Sequence, residues 1–325
     1  MVKKLIASVS VLALIASSFA GCSSAAAKDD DKLSVVCTVY PVYDWAREII
    51  GTSRDDSVKL TYLMNSGADL HNYQPAADDM ITISDCDVFI YVGGESDQWV
   101  ENALSTARNK DMVVIDLMNV LDETDLREEE VKEGMEGSEE EESGEEETEY
   151  DEHIWLSLRN AEKCTSAIAE KLEEADPENA DMFKENAEDY ISRLDELDKK
   201  FVDMTSNAEN KTLIFGDRFP FRYFVEDYGL DYYAAFNGCS ADTKASFKTI
   251  AFLADKADEL NADTIFTIEG SDCNIADAVV SNTKSKSQNI ASLYSMQSVS
   301  ESDKSVCSYY NFMERNYDIL KEALN

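Results

Sequence analysis

Histidine is nearly absent: the 325 residues contain two, His71 and His153. That excludes a three-histidine zinc centre, an HExxH protease and a His-rich scavenging loop, so any metal site in this chain has to recruit carboxylates. Glycine (12) and proline (4) are also scarce, well below the roughly 7% and 5% of average proteins. Their scarcity argues against turn-dense all-β designs and Gly-rich phosphate loops, and no Walker or dinucleotide fingerprint occurs. Basic residues are few, 29 Lys+Arg against 67 Asp+Glu for a net charge of −38. Phosphate neutralisation needs a basic face, so nucleic acid is excluded as a partner. Beyond Ala20 no apolar run is long enough to span a bilayer.

What is present begins with a leader. MVKKLIASVSVLALIASSFAGC sets two lysines before an apolar run, Leu5 to Ala20, that stops at Gly21-Cys22. The run is short for a membrane span of about 20 residues and fits a secretory signal ending in a lipoprotein-type cleavage site. The expectation is a signal peptide over 1–21, lipidation at Cys22, and a small, charged tether over 22–32. The mature protein is then extracytoplasmic and anchored to the cell membrane as a lipoprotein. Six further cysteines remain, Cys37, Cys86, Cys164, Cys239, Cys273 and Cys307. Disulfides and buried structural thiols are both open, and no CxxC pair selects a connectivity.

Short β-branched and aromatic runs predict strands over Ser34–Tyr40, Val58–Met64, Val88–Val92 and Val113–Leu117, then Thr212–Phe215, Asp231–Phe236, Thr264–Ile268 and Asn289–Tyr294. Helical periodicity lies between them, as in Tyr43–Ile50 and Ser246–Leu260. Alternating strand and helix implies parallel sheets. The expected fold is α/β: two lobes, each with a central, mostly parallel four-stranded sheet flanked by helices. The N-terminal lobe is set at 33–175 and the C-terminal lobe at 207–325.

Between them, Asp176-Pro177-Glu178 supplies an N-cap, a proline at the first helical position and an early acid. Phe183, Ala187, Tyr190, Leu194, Leu197, Phe201 and Met204 then recur at alternating four and three. This predicts one long, rigid linker helix over 176–206, roughly 45 Å from Pro177 to Ser206. The alternative use of the same seam is a coiled-coil dimer; a monomer is preferred.

Residues 128–152 carry 15 acids against one base, Lys132. Self-repulsion predicts a disordered insertion that folds into neither lobe. Its core, Glu139, Glu140, Glu141, Glu142, Glu145, Glu146, Glu147 and Glu149, runs up to His153, where carboxylates would recruit divalent cations weakly.

Both histidines fall at strand-to-helix loops, His71 in GADLHNYQP and His153 in YDEHIWL, where open α/β sheets place ligands. Asp217 closes the strand TLIFGD and Glu269 closes TIFTIE. Two imidazoles and two carboxylates form a four-ligand set suited to Zn²⁺, with Mn²⁺ the alternative. Cys239 and Cys273 also follow strands, but burial or a mutual disulfide is preferred for them over ligation.

The chain resembles the zinc/manganese-type ABC-transporter substrate-binding lipoproteins along essentially its whole mature length. The matching stretches include CTVYPVYDWAREIIG, LMNSGADLHNYQP, DVFIYVGGESDQWV, the acidic insertion leading into DEHIWLSLRNA, RYFVEDYGL and TIFTIEGSD. The resemblance implies two α/β lobes joined by one long helix, metal bound between them, and delivery to an ABC permease. It places His71 and His153 at the first two ligand positions, and the acidic insertion resembles the zinc-type members. The third position, five residues before Tyr223, is Arg218, which cannot ligate a cation; Asp217 is one residue earlier. The C-terminal loop, where the family often has an Asp, reads LYSMQSVS, with Gln297 a candidate additional ligand. The site is therefore expected to be His71, His153, Asp217 and Glu269. No catalysis is expected. The alternatives are a surface adhesin or interaction protein using the acidic run, and a zinc hydrolase, which lacks any nucleophile elbow or HExxH.

Overall fold

In the computed structural model the described residues are 32–51, 57–136, 149–240, 244–300 and 307–324. The leader, Cys22 and nearly all of the tether lie outside them, as do Glu139 to Glu142 and Glu145 to Glu147. The first sheet is β1 (Leu33–Cys37), β2 (Val58–Tyr62), β3 (Val88–Tyr91) and β4 (Val113–Asp116), paired in parallel in the order β2-β1-β3-β4. The second, β5 (Thr212–Phe219), β6 (Asp231–Asn237), β7 (Thr264–Ile268) and β8 (Asn289–Leu293), repeats that order as β6-β5-β7-β8. Val88, Phe89 and Ile90 are wholly buried, as expected of a parallel strand covered on both faces. In each sheet the order reverses beside the first strand, which opens a crevice at the carboxyl ends. The described residues from Leu33 onward form one compact unit.

The helices are α1 (Tyr40–Ile50), α2 (Ala77–Asp85), α3 (Trp99–Ser105), α4 (Leu117–Val120), α5 (Leu158–Ala175), α6 (Ala180–Asn207), α7 (Arg222–Tyr228), α8 (Phe247–Leu260), α9 (Asn274–Asn282) and α10 (Tyr309–Ala323). Two boundaries differ from expectation for a local reason. β1 stops at Cys37 because Pro41 occupies the first turn of α1, where its missing N–H costs nothing. β5 runs on to Phe219 through a register shift between Phe215 and Arg218.

The linker is α6, 28 residues and about 42 Å long. It begins at Ala180 rather than Pro177, because Asp176–Asn179 forms the turn out of α5, closed by Asn179 Nδ2 donating to Asp176 Oδ2 at 2.5 Å. The apolar seam is buried inside this chain, where α6 packs against α1, α5, α7 and α10. Phe201 alone meets Phe224, Tyr228 and Tyr317 at centroid distances of 5.1, 5.1 and 5.4 Å. A seam spent on internal packing is not left for a coiled-coil partner. Buried hydrogen bonds tie the lobes further: Trp155 Nε1 donates to Ser295 O at 2.8 Å, Tyr309 Oη to Trp155 O at 2.6 Å and Tyr62 Oη to Val299 O at 3.0 Å.

The acidic insertion requires a correction. Its flanks fold: Glu129 N donates to Glu149 O at 2.9 Å, Glu136 N to Ala235 O at 3.0 Å, and Tyr232 Oη to Glu130 Oε2 at 3.2 Å. Met135, 3% exposed, anchors the segment on the second lobe. The glutamates there find O–H and N–H partners on β6 and after it, Tyr232 Oη for Glu130, Cys239 N for Glu129 and Ser246 N for Glu136, which offsets the self-repulsion that composition alone predicts. Among the described residues no helix is long and apolar enough to cross a membrane.

Candidate metal centre

His71 lies in a single 3₁₀ turn, Leu70–Asn72, in the loop after β2. Asp69 starts that turn, its Oδ1 accepting from His71 N at 3.1 Å. His71 Nδ1 meets Ser96 Oγ at 3.0 Å and Glu152 Oε2 at 3.7 Å, leaving Nε2 directed into the crevice. Glu152 is brought in by Ser96 N, which donates to its Oε1 at 2.5 Å. The close approach depends on Gly94, where a Cβ would fall 2.6 Å from the Glu152 side chain.

His153 is fully buried at the start of the turn Ile154–Leu156 before α5. Asp151 Oδ1 accepts from both its backbone N and its Nδ1, each at 2.8 Å. A carboxylate on Nδ1 fixes the imidazole's tautomer and orientation and turns Nε2 outward, the usual second partner of a metal-ligating histidine.

The two Nε2 atoms face each other at 3.2 Å. Two nitrogens on one tetrahedral zinc, each bonded at about 2.05 Å, stand about 3.3 Å apart. The imidazoles are thus already at the separation a shared ion needs. Burial, then the neighbouring His153 charge, pushes the His71 pKa down to about 3. Burial also opposes charge on His153, but Asp151, with Glu152 and Glu129 behind it, outweighs this and raises its pKa overall. The surroundings are anionic, suited to a divalent cation.

The third member of the cluster is Cys239: its sulfur and one ligand nitrogen from each histidine all lie within 4.8 Å of one another. It follows β6 and is half-buried, its N–H donating to Glu129 Oε1 at 3.2 Å. Gly238 lets this loop cross His153, whose Cε1 a Cβ there would meet at 3.0 Å. All six cysteines among the described residues are free, so the disulfide considered for Cys239 and Cys273 is not formed. Cys273 instead donates to its neighbour Ser271 O at 3.8 Å. Gln297, 2% exposed, touches His153 Nε2 through its own Nε2, while its Oε1 has no hydrogen-bond partner.

Asp217 and Glu269 lie at the carboxyl ends of β5 and β7 and line a cavity of about 430 Å³ with Asp69 and Arg218. Neither belongs to the cluster of His71, His153 and Cys239. The β5 register shift turns the Asp217 carboxylate onto backbone amides, Arg218 N at 2.8 Å and Ile268 N at 3.3 Å. Glu269 accepts from Ser295 N at 2.6 Å, Ser295 Oγ at 2.9 Å and Met296 N at 2.6 Å. Burial raises its pKa to about 7 against those hydrogen bonds. It holds the loop that carries Gln297, with Met296 kept at φ 61°. Glu149, the described member of the acidic core, lines the cleft beside His71.

Two parallel α/β lobes bridged by one long helix, with paired imidazoles at the carboxyl edge, define the class of two-lobed metal-binding solute-binding proteins. The chain belongs to the family of the periplasmic zinc-uptake complex component A, ZnuA, whose model matches residues 35–323. It is 30% identical over 300 residues to the high-affinity zinc uptake system protein ZnuA of Bacillus subtilis, across 90% of this chain and 88% of that one. It is 29% identical over 300 residues to the zinc-binding lipoprotein AdcA of Streptococcus pneumoniae, covering 90% of this chain but 56% of AdcA, about half its length. The Zn(II)-bound ZnuA-like domain of that AdcA superposes with a TM-score of 0.70 at 26% identity, over 90% of this chain and 99% of the domain. The metal-dependent lipoprotein YcdH of Bacillus subtilis gives a TM-score of 0.73 at 26% identity, over 90% and 100%. The family makes this chain a zinc-binding, extracytoplasmic component of a zinc-uptake system and not an enzyme.

Proposed function

We propose that the protein captures one Zn²⁺ between its lobes, with His71 and His153 as nitrogen ligands, and delivers it to the permease of an ABC transporter while a lipid on Cys22 holds it at the cell membrane. The observation that carries this reading is the 3.2 Å separation of the two Nε2 atoms, with Asp151 and Ser96 bonded to the opposite ring nitrogens. Two imidazoles favour zinc over manganese, which prefers more oxygen. Asp217 and Glu269, bonded to backbone amides, act as loop-positioning residues of the second lobe rather than as ligands. Glu149 lines the cleft beside His71, and the acidic run Glu139 to Glu142 and Glu145 to Glu147 that leads to it in sequence attracts divalent cations through charge alone. The internal use of the α6 seam supports a monomer.

The test is titration of metal-free protein with Zn²⁺ against a chelator of known affinity, alongside thermal melting. One tight ion is expected, with the midpoint rising by about 10 °C when free zinc exceeds Kd by about 1,000-fold. His71→Ala and His153→Ala should each lose the tight ion and most of that rise. A single tight zinc retained in both variants would overturn the assignment.

A further inference from the structure

We propose that the third ligand of this site is the thiolate of Cys239 and the fourth the side-chain oxygen of Gln297, giving an N₂SO set in place of a nitrogen and carboxylate set. The inference rests on the interlobe site proposed above and specifies its chemistry.

Three observations converge on it. First, the Cys239 sulfur is the group that joins the two imidazoles within 4.8 Å, whereas Asp217 and Glu269 do not. On one tetrahedral ion a thiolate stands about 3.6 Å from each nitrogen, so the side chain has to close by at most about 1.2 Å to share the ion. Second, Gln297 Oε1 is buried without a partner while its Nε2 presses against His153 Nε2. Half a turn of the amide brings the oxygen to the place the nitrogen holds, and a cation then supplies the interaction it lacks. Third, the loop that carries Cys239 is fixed on three sides. Gly238 admits it over His153, Glu129 Oε1 accepts from Cys239 N at 3.2 Å, and Arg218 Nη1 donates to Ser240 O at 3.3 Å.

On binding, the Cys239 S–H bond breaks, its proton leaves to bulk water, and a sulfur lone pair forms the bond to the metal. No oxidant or reductant takes part, and the set gains one negative charge to set against the ion's two positive ones. A thiolate also shifts selectivity towards soft cations: Zn²⁺ and Cd²⁺ should bind tightly and Mn²⁺ poorly.

The experiment uses the full mature chain loaded with Co²⁺ as a spectroscopic stand-in for Zn²⁺, in wild type, Cys239→Ser, Cys239→Ala and His71→Ala, each checked for folding by circular dichroism. Wild type should show an intense ultraviolet sulfur-to-cobalt charge-transfer band that both Cys239 variants lack. Zinc affinity in Cys239→Ala should fall by more than about 100-fold, beyond what loss of an outer-shell partner costs. Site-resolved alkylation read by mass spectrometry should find Cys239 protected by zinc and Cys273 not. If His71→Ala abolishes binding while Cys239→Ala keeps full affinity and the cobalt spectrum is unchanged, the thiolate assignment is overturned and the interlobe site stands. If neither variant alters zinc binding, both are overturned together.

Discussion

Arg218 Nη2 stands 2.7 Å from Asp69 Oδ2, so a guanidinium of the second lobe rests on the carboxylate of the first that also starts the turn holding His71. The same guanidinium reaches Ser240 O through Nη1 at 3.3 Å, one residue beyond Cys239. Arginine cannot ligate a cation, but its planar fork of donors can bridge two loops, and here it fixes the position of the His71 loop relative to the Cys239 loop. Both side chains are mostly removed from water, at 15% and 19% exposure, so solvent screens the pair only in part.

A double-mutant cycle of Arg218→Gln and Asp69→Asn should therefore give a coupling energy of about 1–2 kcal/mol in chemical denaturation. Each single variant should also weaken zinc binding, because each frees one of the two loops. A coupling energy indistinguishable from zero would reduce the pair to a surface contact.

The elements themselves were legible, because burial in a parallel sheet imprints a local pattern. Val88 to Val92 and Thr264 to Ile268 read as strands from composition, and the seam from Phe183 to Met204 read as one helix from its spacing. The histidines were legible for a related reason: each follows or precedes a recognisable element at the ligand-binding edge. The direction of the Asp217 carboxylate was not legible, because it goes with the β5 register shift, which no residue pattern announces. For Cys239 the sequence favours burial or a disulfide over ligation, because its nearness to His71 and His153 depends on Gly238 and on cross-lobe contacts made by Arg218. Met135 is a similar case: one apolar residue among glutamates anchors a segment whose composition predicts disorder.

Asp151→Asn separates orientation from ligation. The amide oxygen can still accept from His153 N and Nδ1, so the fold should be kept, but the imidazole loses its anionic partner. Zinc affinity is expected to fall by about 10–100-fold, the range found for outer-shell partners of ligating histidines. Chelator competition at neutral pH reads the change directly. Affinity equal to wild type would mean that Asp151 is structural only.

Glu162, on α5, offers a test away from the metal. Burial first, then the Asp195 and Asp198 carboxylates of α6, raise its pKa from an ordinary 4.5 to about 7. The folded state therefore holds this proton more tightly than the unfolded chain does. The resulting stabilisation is fully present below the unfolded value and is lost as the pH rises through about 7. Above that pH an additional carboxylate faces two others across the helix pair. Glu162→Gln removes that charge permanently, so it should leave the melting midpoint nearly unchanged at pH 4.5 and raise it at pH 8. Because Glu162 is partly open to solvent, the gain is set at about 1 kcal/mol rather than the full value of the shift, or about 2–4 °C for a chain of this size. Melting curves of the metal-free variant and wild type at the two pH values decide it. A midpoint gain that is the same at both would place the effect in packing rather than in the carboxylate cluster.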